Sequence, residues 1–466
     1  MALLVRNGRI ITATDDYAAD IYCAGETITR IEPHIDPASL PHSPVELQVV
    51  DASAKYVFPG FIDPHVHIYL PFMGTYAADD YESASKAALA GGTTTLIEMI
   101  CPGPNDEPLD AFETWRSKAA SLASVDYTFH MSVVRFEEGI REQFRRIVEL
   151  GVASFKVFLA YKGALNLSDE HLFAMLKMAK QLGVIVTAHC ENADAIDAMQ
   201  KSLLAEGRTG PEWHGPSRPP VVEADGVHHL CAFAELTGTH VYTVHTSCDA
   251  AVREALAARY RGVSVWIECV APHLVLDEKS ATLPNFEGAK YVMSPPLRHK
   301  SNQDVLWNAL RSRTVSTVAT DHAPFSFRAQ KEMGRSAFTM IPNGIPTLQE
   351  RIDLVHTKGV TEGRIDLQTM VDACSTQAAR IFGLYPRKGT IQIGADADLV
   401  VYDPEHRGTF SLKSSHSRVD YNAYEGWEKR GRASLVTVRG EVQVRNGEFV
   451  GTVGRGRFIG REPTHG

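Results

Sequence analysis

The central part of the sequence alternates short β-rich runs with helical stretches, and this alternation restricts the possible folds more than any other feature. Helical periodicity appears in residues 78–92, 168–183 and 249–262, and all three stretches end in glycine, as helices often do. The alternation predicts a parallel sheet with helical crossovers. Eight runs are candidate strands: YVFPGFID (56–63), TTTLIEMI (93–100), YTFHMSVV (127–134), SFKVFLA (154–160), VIVTAHC (184–190), HVYTVHTS (240–247), VSVWIECV (263–270) and VSTVATDH (315–322).

Eight such units over about 330 residues match an α/β fold of the (β/α)₈ TIM-type barrel class. An open doubly wound sheet is the alternative. No GxGxxG or GxxxxGK[ST] loop follows the first strand, so the usual motif of a nucleotide-binding open sheet is missing. We therefore expect the barrel.

Both ends of the chain show a different sequence pattern, in which apolar and polar residues alternate around turn residues. This pattern predicts one small β-sandwich domain built from residues 1–55 plus 390–455. The barrel then occupies residues 56–389. The basic segment 456–466 is expected to be a C-terminal tail that is solvated or contacts another subunit.

Composition limits the partners and the compartment. The 47 basic and 56 acidic residues are scattered and give a net charge of -9, so we expect a small-molecule substrate and no nucleic acid. The seven cysteines lack CxxC spacing, which favours free thiols in a reducing compartment. No apolar stretch approaches the roughly 20 residues needed to cross a bilayer. The sequence predicts a cytoplasmic protein without membrane contact.

Chemically active side chains stand where the predicted strands end, which is where barrel enzymes place their chemistry. Any one of them could be an ordinary structural residue, but five strands deliver such groups to the same rim. His130, on the third strand, is expected in the core, and His322 beside the ligands or in a loop. The candidates for a metal site are His65, His67, Lys156, His189, His245 and Asp321.

Four histidines and a carboxylate suit Zn²⁺ or a similar divalent ion. The set is too large for one ion with an open position, and it fits two ions that share ligands. Lys156 is unusual because its apolar neighbours Phe155 and Val157 would make a lone buried ammonium costly. An ion-paired or snorkelling lysine is the alternative. An unmodified lysine cannot supply the anion that bridges two cations.

The sequence resembles the dihydropyrimidinase and hydantoinase family of cyclic amidohydrolases over essentially its whole length. The resemblance implies a barrel with a β-sandwich made from both chain ends, and a homotetramer. The motifs that carry it are FPGFIDPHVH, PFMGT, ALAGGTTT, SFKVFLAYKG, AHCEN, SRPPVVEADG, VHTSC, FEGAKYVMSPPLR, VATDHAPF, IPNGIPTLQER, LYPRKGTIQIGADADLVVYDP and YNAYEGW.

The resemblance implies a role for each metal candidate. His65 and His67 would bind the more buried ion together with Asp321, and His189 and His245 would bind the other. Lys156 matches the lysine that this family carboxylates with CO₂, which yields an N6-carboxylysine carbamate that bridges both ions.

The family chemistry is the opening of a cyclic amide ring by hydroxide generated between two metals. Tyr161 would polarise the ring carbonyl, and Asp321 would act as the base and return the proton to the leaving nitrogen. Ser294 and Asn343 match positions that hold the amide or imide edge of the substrate, largely through backbone groups. The implied substrates are 5,6-dihydropyrimidines and 5-substituted hydantoins, which would give N-carbamoyl amino acids.

Three other roles of proteins with this fold compete with this interpretation. A dihydroorotase would need an arginine where Tyr69 stands. An allantoinase shares the ligand set and stays open, although PFMGT, SPPLR and IPNG favour the dihydropyrimidinase branch. A non-catalytic scaffold of the collapsin response mediator type would have lost metal ligands, and this chain keeps all six.

Overall fold

The computed structural model describes residues 2–41 and 47–464. The strands of these residues, numbered along the chain, are β1 (Ala2–Ile11), β2 (Asp16–Ala24), β3 (Thr27–Glu32), β4 (Leu47–Asp51), β5 (Tyr56–Pro59), β6 (Phe61–Val66), β7 (Pro71–Phe72), β8 (Thr75–Tyr76), β9 (Thr93–Ile100), β10 (Asp126–Ser132), β11 (Ser154–Phe158), β12 (Ile185–His189), β13 (Val241–Thr243), β14 (Val265–Val270), β15 (Thr317–Ala319), β16 (Leu399–Thr409), β17 (Glu428–Val438), β18 (Glu441–Arg445) and β19 (Glu448–Phe449).

The α-helices lie mainly between the barrel strands, as the crossover pattern predicts. They are α1 (Tyr81–Ala90), α2 (Pro108–Ala120), α3 (Arg141–Glu149), α4 (Asp169–Leu182), α5 (Ala193–Ala205), α6 (Pro220–Thr237), α7 (Asp249–Tyr260), α8 (Ala271–Val275), α9 (Ser301–Arg311), α10 (Arg351–Leu354), α11 (Leu367–Val371) and α12 (Gln377–Ile381).

Eight strands form one parallel sheet in the order β6, β9, β10, β11, β12, β13, β14 and β15. The segment after β15 then pairs with β6, because the amide of Asp321 donates to the carbonyl of His65 (3.0 Å) and the amide of His67 donates to the carbonyl of His322 (2.8 Å). The first and last strands therefore meet, and the predicted (β/α)₈ barrel is confirmed.

The first predicted strand, YVFPGFID, is divided at Gly60 instead of running straight through. Strand β5 joins the terminal sheet between β1 and β16, whereas β6 belongs to the barrel. A Cβ atom at Gly60 would lie 2.1 Å from Oγ1 of Thr94 and 2.9 Å from Cβ of Asp398. Only glycine lets the chain pass this closely between the two sheets. The other seven predicted strands coincide with β9 to β15 within a few residues.

The two chain ends form a separate nine-stranded sheet, in which β1 to β5 join β16 to β19. The pairing of β5 with β16 connects the strands of the two chain ends. Side chains from both ends pack into one hydrophobic cluster that includes Leu3, Ile21, Val57 and Val401. The predicted terminal β-domain is confirmed. The exact division into 1–55 plus 390–455, 56–389 and 456–466 stays a proposal.

The C-terminal tail packs against the barrel, so the expectation of a solvated extension is wrong for Arg461. This side chain is buried, and its guanidinium donates to Oγ1 of Thr128 (3.0 Å), Oγ of Ser154 (2.8 Å) and the carbonyls of Phe129 and Phe382. The contact of Arg461 could not be predicted from the sequence, because a basic segment is usually solvated and its distant hydrogen-bond acceptors are not visible in the local sequence.

Two further sequence predictions concern cysteines and membranes. All seven cysteines are buried and unpaired, as predicted. Among the described residues, no helix combines the length and the hydropathy that a membrane span requires.

Replacing Arg461 with alanine should destabilise the protein and leave its activity nearly unchanged. Four acceptors of the guanidinium would be left in a buried space, which should lower the free energy of unfolding by about 2–4 kcal/mol. The guanidinium contacts the first residue of β11 and the first half of β10, and none of these residues lines the cavity. Thermal and denaturant unfolding measure the effect. The exposed Arg253 offers a control, since R253A should cost less than about 0.5 kcal/mol; equal stability of R461A and R253A would contradict the prediction.

Candidate active site

All nine predicted site residues line one small cavity at the carboxyl end of the barrel. The cavity has a volume of about 50 Å³ and is otherwise bordered mainly by apolar side chains. The nine residues are His65, His67, Lys156, Tyr161, His189, His245, Ser294, Asp321 and Asn343.

His65, His67 and Asp321 form a compact group of possible metal ligands. The Nε2 atoms of the two histidines lie 3.2 and 3.3 Å from Oδ1 of Asp321, and the ligand atoms of the group lie within 4.8 Å of one another. Burial alone would raise the pKa of Asp321, but His65, His67 and Lys156 bring it down to about 2. Burial opposes protonation of His67, but the hydrogen bond to Asp321 raises the pKa of this ring to about 9, so metal binding would displace a proton from it. An ionised carboxylate with two histidine rings is the donor set of a divalent metal site.

A buried glutamate that the sequence analysis missed orients the first histidine. Nδ1 of His65 lies 2.8 Å from Oε1 of Glu268, so the ring N–H donates to this carboxylate. The other nitrogen, Nε2, is then a lone-pair donor, and it is buried without a hydrogen-bond partner. Such an orphaned nitrogen fits a metal ligand, and a carboxylate that holds the opposite N–H is the usual arrangement at metal sites.

Glu268 also serves the last histidine of the set. Its carboxylate accepts the backbone N–H of His245 (2.8 Å) and the hydroxyl of Tyr242 (2.7 Å). His245 lies two residues beyond β13 and has a φ of 40°, so its backbone is held in an uncommon conformation. In the sequence, Glu268 could have been recognised as a charged residue inside the apolar run VWIECV. Lys156 was identified by the same feature, a charged residue among apolar neighbours.

His189 and His245 face each other, with ring centroids 4.6 Å apart. Nε2 of His189 donates to Glu191 (2.7 Å), which in turn forms a buried ion pair with Arg218, and this leaves Nδ1 of His189 as the lone-pair nitrogen. Burial and the nearby cations lower the pKa of both histidines, which Glu191 opposes at His189. Both rings are therefore neutral, as metal ligation requires.

Lys156 lies on β11 and lines the same cavity as the two histidine pairs. The side chain is buried, its Nζ is 5.0 Å from the ring centroid of Phe158, and no carboxylate of the described residues forms an ion pair with it. Burial lowers the pKa of Lys156 to about 8, against the attraction of Asp321 and Glu268. A buried, unpaired ammonium is unfavourable, so this position is better suited to an anionic or neutral form of the side chain.

Tyr161, Ser294 and Asn343 line the same cavity. Nδ2 of Asn343 donates to Oγ of Ser294 (2.9 Å), and the ring of Tyr161 packs against His189 with centroids 5.3 Å apart. Burial raises the pKa of Tyr161, and the neighbouring Arg218 only partly opposes this. The hydroxyl therefore stays protonated and can donate a hydrogen bond.

A larger cavity of about 930 Å³ adjoins the small one and provides the approach to it. Leu70, Phe72 and Tyr161 line both cavities, so they stand at the passage between them. Tyr69 lines the larger cavity, where its ring stacks on Tyr76 at 5.5 Å and meets the edge of Trp115 at 4.8 Å. An aromatic wall therefore occupies the place where a dihydroorotase would need an arginine.

The two histidines that the sequence analysis set aside are not cavity residues. His130 is buried and hydrogen-bonded to Oγ of Ser154 and to the carbonyl of Pro64, as expected for the core. His322 donates from Nε2 to Asp79 (2.9 Å), and its Nδ1 accepts the backbone N–H of Thr347 (3.1 Å). Both nitrogens are thus committed, and His322 supports the segment that carries Asp321.

Replacing Glu268 with glutamine should weaken metal binding by about 10–100-fold, because the amide can no longer hold the N–H of His65 as a carboxylate does. Metal retained after dialysis against graded chelator concentrations measures the effect. Glu350 offers a matched control, since it is also buried but accepts from Asn422 (2.8 Å). If E268Q and E350Q retained metal as well as the unmodified protein, Glu268 would have no orienting role.

Comparison with known proteins places these features in a family. The profile of the amidohydrolase family matches residues 56–443. The chain is 44% identical to D-hydantoinase of Geobacillus stearothermophilus over 99% of this chain and 97% of that one, and 37% identical to dihydropyrimidinase of Arabidopsis thaliana over 99% and 86%. The solved structure of D-hydantoinase (dihydropyrimidinase) from Thermus sp. superposes with a TM-score of 0.96 at 54% identity, covering 99% of this chain and all of that one. The chain therefore belongs to the amidohydrolase family and, within it, to the cyclic amidohydrolases that its motifs predicted.

Proposed function

We propose that this enzyme hydrolyses the ring amide of 5,6-dihydropyrimidines and 5-substituted hydantoins to N-carbamoyl amino acids. The observation that carries the proposal is that one cavity is lined by a possible metal-binding donor set together with Tyr161, Ser294 and Asn343. The similarity to D-hydantoinases and dihydropyrimidinases supports this substrate class.

The cofactor proposed is a pair of divalent ions, with Zn²⁺ favoured by the four imidazoles. His65, His67 and Asp321 would hold one ion, and His189 and His245 the other. The orphaned Nε2 of His65 supports this assignment. When bound, the ions would supply Lewis-acid polarisation and lower the pKa of water toward neutrality.

Lys156 is proposed to bridge the ions as a carbamate. Its neutral amine would attack the carbon of CO₂: the N–C bond would form as one C=O π pair moves to oxygen, and one N–H proton would pass to solvent, which leaves an N6-carboxylysine anion. The buried position without a carboxylate partner supports this modification, because the carbamate replaces an unfavourable lone cation by an anion between cations.

The remaining residues act on the substrate and its protons. Asp321 would take the proton of the attacking water and return it to the ring nitrogen as the C–N bond breaks. Tyr161 would donate its hydroxyl hydrogen to the carbonyl oxygen as negative charge develops there. Ser294 and Asn343 would hold the amide edge, so that the carbonyl carbon faces the water.

We also propose an assembly and a location. The family resemblance implies a homotetramer, and the seven buried free thiols support a cytoplasmic location.

A ring-opening assay tests the substrate class directly. Dihydrouracil, hydantoin, phenylhydantoin and allantoin are offered to the purified enzyme, and metal content is determined on the same sample. We expect turnover of dihydrouracil, hydantoin or phenylhydantoin and about two divalent ions per chain. Turnover confined to allantoin would overturn the substrate assignment, and a metal-free protein without any turnover would favour a non-catalytic scaffold.

Replacing Lys156 with alanine should abolish turnover and reduce metal content, since the bridge is lost. A short carboxylate such as acetate or propionate should restore part of the activity by occupying the vacated space. The exposed Lys201 provides a control, and K201A should behave as the unmodified enzyme. Undiminished activity of K156A would refute the bridging role.

A further inference from the structure

Lys331 is a buried lysine that lies behind the cavity wall and not in the cavity. Its Nζ donates three hydrogen bonds to backbone carbonyls, those of Val292 (3.0 Å), Pro342 (2.7 Å) and Gly344 (2.7 Å). No carboxylate of the described residues pairs with it. The three carbonyls are therefore its whole set of acceptors.

The number of acceptors bears on the protonation state of Lys331. An ammonium has three N–H donors, one for each carbonyl, whereas a neutral amine would turn its lone pair toward a carbonyl oxygen. Burial lowers the pKa of Lys331 well below its ordinary value, whereas the three hydrogen bonds to carbonyls act in the opposite direction by favouring the ammonium.

The three carbonyls belong to the two loops that carry Ser294 and Asn343. Val292 precedes Ser294 by two residues, and Pro342 and Gly344 flank Asn343. These loops also touch each other, because the amide of Gly344 donates to the carbonyl of Val292 (2.9 Å). Lys331 thus joins both loops from the side that faces away from the cavity.

A second buried side chain holds the same wall. Nε2 of His214 lies 2.8 Å from the carbonyl of Met293 and 3.3 Å from Oγ of Ser294. Neither loop belongs to a strand or an α-helix, so their carbonyls need side-chain donors when buried. His214 bonds to one loop alone, whereas Lys331 bonds to both and adds to the direct contacts between them.

We propose that Lys331 is a positioning residue that fixes the spacing of the Ser294 and Asn343 loops, and thereby aligns the backbone groups that hold the amide edge of the substrate. The inference rests on the proposed function, since it assumes that these loops bind the ring. By binding the carbonyls of these loops, Lys331 would orient the backbone groups of Ser294 and Asn343 toward the cavity.

The test replaces Lys331 with methionine, which has a similar length and no donor. KM for hydantoin should rise at least about tenfold while kcat changes less than about threefold, because the loops bind the ring in the ground state and in the transition state alike. KM for phenylhydantoin should rise by the same factor, since the loops contact the ring and not its substituent. Metal content should stay unchanged.

Lys388 provides a matched control. It is equally buried, but its Nζ pairs with Asp126 (2.6 Å) and Asp398 (2.7 Å) between the barrel and the terminal sheet. K388M should lower the melting temperature and leave KM unchanged. Comparing K388M with K331M therefore distinguishes a general loss of stability from a specific effect on the loops that carry Ser294 and Asn343.

Three results would overturn the proposal. The first is an unchanged KM in K331M, and the second is a loss of kcat that follows a loss of metal. The third is a failure to fold of both K331M and K331Q, which would assign Lys331 to folding alone. An unmodified enzyme that opens none of the rings would instead refute the proposed function, so the two failures are distinguishable.

Discussion

Closure of the barrel between its first and last strands is the interaction on which the active site depends. The amide of Asp321 donates to the carbonyl of His65, and the amide of His67 donates to the carbonyl of His322. These two bonds join segments about 255 residues apart and bring two imidazoles and a carboxylate within hydrogen-bond distance. A metal site built on such a seam is as rigid as the barrel itself, because separating its ligands would open the sheet.

The rest of the site consists of buried polar groups that orient one another. Glu268 and Glu191 each hold the N–H of one histidine, which leaves the other nitrogen of His65 and of His189 as a lone-pair donor. At the loops that carry Ser294 and Asn343, Lys331 and His214 bind backbone carbonyls in an equivalent way. Each orienting group lies behind the cavity, so the cavity presents lone pairs and donors that are fixed before any substrate arrives.

The barrel and the six metal candidates could be predicted from local patterns, whereas Tyr161, Ser294 and Asn343 were identified only through the family resemblance. Strands and helices have their own periodicity, and the carboxyl ends of parallel strands share one rim. Glu268 and Lys331 were missed because their importance depends on partners far away in the chain. The split at Gly60 and the buried Arg461 were missed for a related reason, since each reflects contact between elements that the local sequence does not encode.

Anomalous X-ray diffraction from crystals of the metal-loaded enzyme tests the central claim most directly. The account predicts two anomalous peaks in the small cavity, roughly 3.5–4 Å apart, with continuous electron density from Nζ of Lys156 to both. One peak should lie beside His65 and His67, and the other beside His189 and His245. A single peak with an unmodified Lys156 would contradict the two-metal account.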